Sequence, residues 1–284
     1  MELEQLIKEY QKQQNEIKTI IGLLREVSHL EQSRNENLFK IKLKIKKIFN
    51  IIEKNDQIIC LLDNLKNWVS QYQSEIMNSE KEFKKRIGTE LEEELAKIEL
   101  SLSGHLPKLE AGIFTIECDF ERGKAKIWYG PKQEILTECY LSTGEIASQI
   151  NEQKQNIGSK LPIDEFIELL RKAYYSCIEG SSHGEFVQII KVYEQISALI
   201  SSSPLIEGRE SINQGSYSRS DFSYDLFRLQ KHKQTNLFAS QIHLKVATRE
   251  YTRRRSDFLW VPQDDHGSGT TYSHLAIKEE RNEQ

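Results

Sequence analysis

Proline is missing from this chain until Pro107, and the first hundred residues hold only two glycines, Gly22 and Gly88. These are the residues that most readily end a helix, so their absence leaves nothing to interrupt a long helical stretch. Cysteine is scarce as well. Cys60, Cys118, Cys139 and Cys177 stand far apart, with no C-x-x-C pair to mark a metal knot or a redox motif. Scattered thiols of this kind suit a reducing compartment. No apolar run reaches the roughly 20 residues needed to cross a bilayer. The opening MELEQLIKEYQKQQ is charged and amphipathic, unlike a secretory signal. A cytoplasmic protein with no membrane contact is the expectation. The net charge of -4 argues against a surface that binds polyanions throughout, while leaving room for local basic patches.

Catalytic signatures are equally thin. There is no G-x-S-x-G elbow, and no two histidines fall at metal-ligand spacing. The Gly267-Ser268-Gly269-Thr270 stretch lacks the lysine and following helix of a phosphate loop. No cofactor and no metal are expected, and the reading leans away from an enzyme.

What the front of the chain does contain is a heptad seam. Leu3, Ile7, Tyr10, Gln14, Ile17, Ile21 and Leu24 alternate in steps of four and three. The seam breaks over residues 28–37 and resumes in a new frame at Ile41, Ile45, Ile48, Ile52, Asn55, Ile59, Leu62, Lys66 and Val69. A third register runs through Phe83, Ile87, Leu91, Leu95, Ile98 and Leu102. Such frame changes admit one long helix with stutters, or an antiparallel hairpin turning near 31–37 or 78–80. The hairpin is favoured, because a lone helix cannot bury its own stripe. Self-association would cover that stripe equally well.

Behind the rod, the pattern changes to alternation. Phe114, Ile116, Cys118 and Phe120 alternate with polar residues, Glu121-Arg122-Gly123 makes a turn, and KAKIWY (124–129) returns. A third strand is expected over 135–141. Three helices follow. Ser142 and Glu145 have capping-box spacing, Pro162 precedes an apolar stripe ending at Cys177, and a third stripe runs from Phe186 to Ile200. A polar loop is expected over 201–217. Four strands then complete the reading. The first alternates Phe222, Tyr224 and Leu226 with Asp221, Ser223 and Asp225. The second holds Phe238, Ile242, Leu244 and Val246 after a KHKQTN turn. A hairpin pairs 258–261 with 271–277. Residues 278–284 read as a frayed tail.

The expected architecture is therefore α+β. A long helical coiled-coil arm spans 1–103. The domain over 105–284 is a mostly antiparallel sheet, in the order three strands, three helices, four strands, with the helices on one face.

Two basic clusters are the candidate binding residues. Lys40, Lys42, Lys44, Lys46 and Lys47 crowd one segment of the rod. Clustered ammonium groups release counterions when they meet a phosphate backbone, although lysine stems also cover apolar seams. Glu90, Glu92, Glu93 and Glu94 form an acidic counterpart. In the domain, Arg249, Arg253, Arg254 and Arg255 sit beside Tyr251 and Trp260. Arginine interleaved with aromatics suits phosphate contact with base stacking and protein interfaces alike. Internal ion pairs with Asp221, Asp225 and Asp257 are the plainer alternative.

These features point to a non-enzymatic scaffold or adaptor subunit that docks protein partners through the helical arm. Accessory subunits of bacterial multi-protein complexes, in phage defence or beside ATPases, share that architecture. The first alternative is a nucleic-acid-binding protein using the lysine-rich helix and the arginine-rich segment. The second is a divalent-metal nuclease built on Asp221, Asp225, Asp257 and Glu250.

Overall fold

In the computed structural model, which describes residues 3–53, 59–178, 184–201, 217–232 and 241–278, the proline-free stretch forms three helices. They are α1 (Leu3–Leu30), α2 (Arg34–Glu53) and α3 (Ile59–Ala96). A five-stranded sheet follows in the order β1 (Leu102–His105), β2 (Lys108–Ala111), β3 (Phe114–Asp119), β4 (Lys124–Tyr129) and β5 (Glu134–Tyr140). Then come α4 (Thr143–Asn156), α5 (Ile163–Cys177), β6 (Val187–Gln188), α6 (Ile189–Ser201), α7 (Arg219–Lys231), β7 (Ile242–Val246), β8 (Leu259–Pro262) and β9 (Gly269–Ile277). The class is α+β, as the alternation and heptads imply. Its strands form two sheets rather than one, the second ordered β6-β9-β7 with β8 also on β9.

The chain clusters into two compact units. One is Met1–Glu99 with Cys118–Ala125 and Cys139–Ser148, and the other is Leu100–Glu117, Lys126–Glu138 and Gln149–Gln284.

In the first unit, α2 is the middle helix, lying against α1 on one side and α3 on the other. That double coverage explains why it buries Leu38, Phe39, Ile41, Ile45, Ile48 and Ile52, more than a single stripe would hold. One reversal falls where the seam breaks, at a tight helical turn over Glu31–Ser33. α2 ends at Glu53 and α3 starts at Ile59, inside a heptad frame that reads as continuous; residues 54–58 are outside the described residues. No turn occurs at 78–80, where α3 runs unbroken. Phe39 packs edge-on to Phe83 at 5.2 Å and against Phe120 at 6.2 Å. Gly123, at φ +64, sits so close over Phe39 that any Cβ there would overlap the Phe39 Cβ and press on its ring. The hairpin loop at 121–123 thus needs glycine twice, for its backbone sign and for this contact.

In the second unit, α5, α6 and α7 share one core with β7, β8 and β9. It includes Phe166, Leu170, Tyr174, Val192, Ile196, Phe222, Leu226, Val261 and Leu275. Four expectations are corrected here. The stretch from Asp221 to Leu226 is not a strand but part of α7. Ser218 accepts from the Asp221 backbone N–H while the Asp221 carboxylate accepts from the Ser218 N–H, a capping box that starts a helix. Phe222, Leu226 and Leu229 then line one face, and Ser220, Ser223 and Asp225 are buried too. Second, β1 and β2 flank Pro107, where no strand was expected. Third, Val187 and Gln188 form a short strand on β9 before their helix begins. Fourth, Glu145 takes the Tyr140 N–H at 3.1 Å, so it does not serve as the reciprocal half of a Ser142 box. Most of the loop expected over 201–217 lies outside the described residues, as do most of the KHKQTN turn, Phe238 and nearly all of the tail.

Candidate functional site

The arginine-rich segment joins β7 to β8 through two tight helical turns, Tyr251–Arg253 and Arg255–Asp257. Backbone bonds fix the turns locally: Tyr251 and Thr252 donate to the Thr248 carbonyl, and Asp257 donates to that of Arg254. Arg219, on the first turn of α7, fastens the second of them. Its guanidinium donates to the carbonyls of Arg255 at 2.6 Å and Phe258 at 2.5 Å, and its Nε lies 3.4 Å from Glu134. Nothing in the spacing of the sequence marks Arg219 for this task.

Arg249, Arg253, Arg254 and Arg255 are all exposed. Among the described residues none of the four has an ion-pair partner. Asp221, Asp225 and Asp257, the carboxylates expected to neutralise them, are engaged elsewhere. Asp221 caps α7 and accepts from the Gly158 N–H at 2.8 Å. Asp225 accepts from the Ser159 N–H, from the Tyr217 hydroxyl and from Arg228. Asp257 accepts from Ser256. Internal ion pairing is therefore overturned as the reason for the cluster. Tyr251 is half-buried, edge-on to His274 at 5.0 Å. The His274 imidazole is held below its ordinary range by burial and then by the Lys245 charge, which favours the neutral ring.

Trp260 does not join this surface. It is buried, with Tyr129 edge-on at 5.4 Å and with Gly130 and Gly269 against its indole. A Cβ at either glycine would overlap the ring. Ser223 donates to the Trp260 carbonyl, so the Tyr129 hydroxyl is left to donate to Ser223 at 2.9 Å. The indole cannot stack on a base from there. Its role is packing.

The lysine cluster divides. Lys42 donates to Glu80 at 2.6 Å and to the Phe120 carbonyl at 3.2 Å. Lys44 pairs with Glu26 of α1, and Lys40 and Lys124 each stand 4.3 Å from the centroid of the Tyr140 ring. Only Lys46 and Lys47 are exposed and, among the described residues, without a partner. Three of the five thus fasten the first unit together. Their partners are not the glutamates at 90–94, of which Glu90 pairs with Arg86 and Glu94 with Lys97.

A second exposed surface lies on α1. Ile7, Tyr10, Ile17 and Ile21 are 47%, 64%, 38% and 43% exposed, whereas Ile20, Leu23 and Val27 of the same helix are buried. The heptad seam is therefore the face that α2 does not cover.

Asp221, Asp225, Asp257 and Glu250 are not gathered around a common point. Among the described residues no group of three or more His, Cys, Asp or Glu side chains stands where it could hold a metal ion. Nor is any described helix long and apolar enough to cross a membrane. Comparison with protein-family models, with curated proteins and with solved structures finds no match to this chain.

Proposed function

We propose that this chain is a non-catalytic adaptor subunit whose helical arm docks a protein partner. The observation that carries the reading is the uncovered seam of α1. An apolar stripe with regular heptad spacing on a helix already fastened by its other face is a surface shaped for a further helix. The architecture matches accessory subunits that work beside ATPases or in phage defence, an analogy of form. The test uses full-length chain purified from its own cells at matched expression. The parent is expected to travel through gel filtration with a stoichiometric protein partner, another chain or a second copy. An Ile7→Asp, Ile17→Asp chain should lose that partner while the thermal unfolding of the rest is unchanged. A parent that runs alone as a monomer, or a variant that keeps the partner, refutes the reading.

The four unpaired guanidiniums favour a second reading, contact with a nucleic-acid backbone. Free arginines on fixed turns bring their donors without first breaking an ion pair. If all four meet phosphates, the logarithm of affinity for duplex DNA should fall with that of salt with a slope of about -3 to -4. Reversing Arg253, Arg254 and Arg255 to glutamate should abolish retention at low salt and leave the melting temperature alone. Equal retention of parent and triple variant would remove this reading.

A further inference from the structure

We infer that the uncovered seam of α1 pairs with α1 of a second copy of this chain, antiparallel and two-fold symmetric. This rests on the adaptor reading above and names the occupant of its docking surface.

The first support is that α1 carries two apolar stripes and its own chain uses one. Ile20, Leu23 and Val27 are buried, and Glu26 beside them pairs with Lys44 of α2. From Glu4 to Thr19 no described side chain of α1 is buried. A helix gains most of its stability from packing an amphipathic face, so this half needs a partner.

The second support is charge. One flank of the seam is taken by the residues that face α2. The other carries Glu4, Gln11, Lys18 and Arg25 at seven-residue steps, all exposed. Among the described residues none of the three charged ones has an ion-pair partner. The flank is acidic at its start and basic at its end. Two copies running parallel would set like ends together. Running antiparallel, Glu4 of each copy lies toward Lys18 and Arg25 of the other, and symmetry makes the attraction twice.

The third support is register. An antiparallel pair sets Ile7 opposite Ile17 of the second copy and Tyr10 opposite Gln14, again twice each. The single polar residue of the seam then meets the single side chain there with a hydroxyl, and the phenol and amide can hydrogen-bond as they leave water. A shift of one heptad in one direction faces Gln14 with Ile17. A shift in the other direction faces Gln14 with Leu3 and Tyr10 with Ile7, again setting the amide against an apolar side chain. Of the three registers, only the first sets the amide against the hydroxyl while giving Ile7 and Ile17 apolar partners.

The experiment is sedimentation of the full-length chain across a concentration series, combined with position-specific oxidation. The parent should be a dimer, and Ile17→Asp should weaken self-association by roughly a hundredfold, since a carboxylate is forced against an isoleucine. Glu4→Lys should weaken it and Glu4→Lys with Lys18→Glu and Arg25→Glu should restore it, a rescue that damage to folding would not give. Under mild oxidation a mixture of Ile7→Cys and Ile17→Cys chains should form an interchain disulfide, while Ile7→Cys alone should not, with the parent setting the baseline for native thiols. Self-crosslinking of Ile7→Cys, an unchanged dimer in Ile17→Asp or a monomeric parent overturns the pairing. A seam filled by a different protein overturns the dimer and leaves the adaptor reading standing. A seam that binds nothing overturns both.

Discussion

Replacing Asp225 with alanine should destabilise the second unit by about 3–5 kcal/mol, the loss expected when one member of a buried charged network is removed. The carboxylate is 1% exposed and accepts from the Ser159 N–H at 2.9 Å, the Tyr217 hydroxyl at 2.8 Å and Arg228 Nη1 at 2.8 Å. Without it, a buried phenol and a buried amide lose their acceptor, and Arg228 keeps only the Leu161 carbonyl. Burial pushes the Asp225 carboxyl above its ordinary range, against the pull of its hydrogen bonds from Ser159 and Tyr217 and of the Arg228 charge. The sign of the pH dependence follows. A carboxyl with a raised folded-state pKa lets the folded state bind more protons than the unfolded chain, so its contribution is full below the ordinary value of 3.8. It declines as pH rises through the folded-state value. Asp225→Asn removes this dependence, so the stability gap between parent and that variant should narrow as pH climbs out of the acid range. Urea titrations across the range measure it. A gap that widens with pH would mean that the charged form is the favoured one.

The legible parts of this molecule are those in which one physical period dominates. β3 and β4 are bounded by Gly112, Gly123 and Gly130, all at positive φ, and β4 alternates in burial along its whole length, so strand and turn signals agree there; β5 does not alternate, with Ile135 exposed and Cys139 its one buried residue. The proline-free stretch is legible as helix for the same reason. α7 was hidden because it is buried on more than one side: Phe222, Tyr224 and Leu226 fit period two as well as Phe222, Leu226 and Leu229 fit the helical period. The signal that separates them was present in Ser218 and Asp221, three residues apart. β1 and β2 carry almost no β-branched or aromatic residues and take their form from pairing, β2 with β3 and β1 with β2. Of the candidate site, the arginine cluster is visible as concentrated charge, but whether carboxylates neutralise it depends on residues distant in sequence. The seam of α1 is visible as spacing. That Ile20, Leu23 and Val27 rather than the seam would meet α2 is not, since isoleucines lie on both stripes.

Trp260 is the sharpest case, because composition places it beside the arginines as a stacking residue while packing makes it a pillar. Trp260→Ala should cost about 3–5 kcal/mol, the usual loss for emptying a large aromatic site. The cost is at that level because Gly130 and Gly269 offer no side chain that can collapse into the space, and because Tyr129 loses its edge-on partner. Trp260→Phe should retain part of that packing and melt between the two. The arginine turns are fixed separately, one by backbone bonds to Thr248 and the other by Arg219 on the carbonyls of Arg255 and Phe258. Salt-dependent retention on DNA, if the parent has it, should therefore survive in the folded fraction of either variant. A stacking residue would behave in the opposite way, losing affinity at unchanged stability. Chemical denaturation and DNA retention, measured on the same Trp260→Phe preparation, separate the two roles. Weaker retention with an unchanged unfolding midpoint would return the indole to the surface.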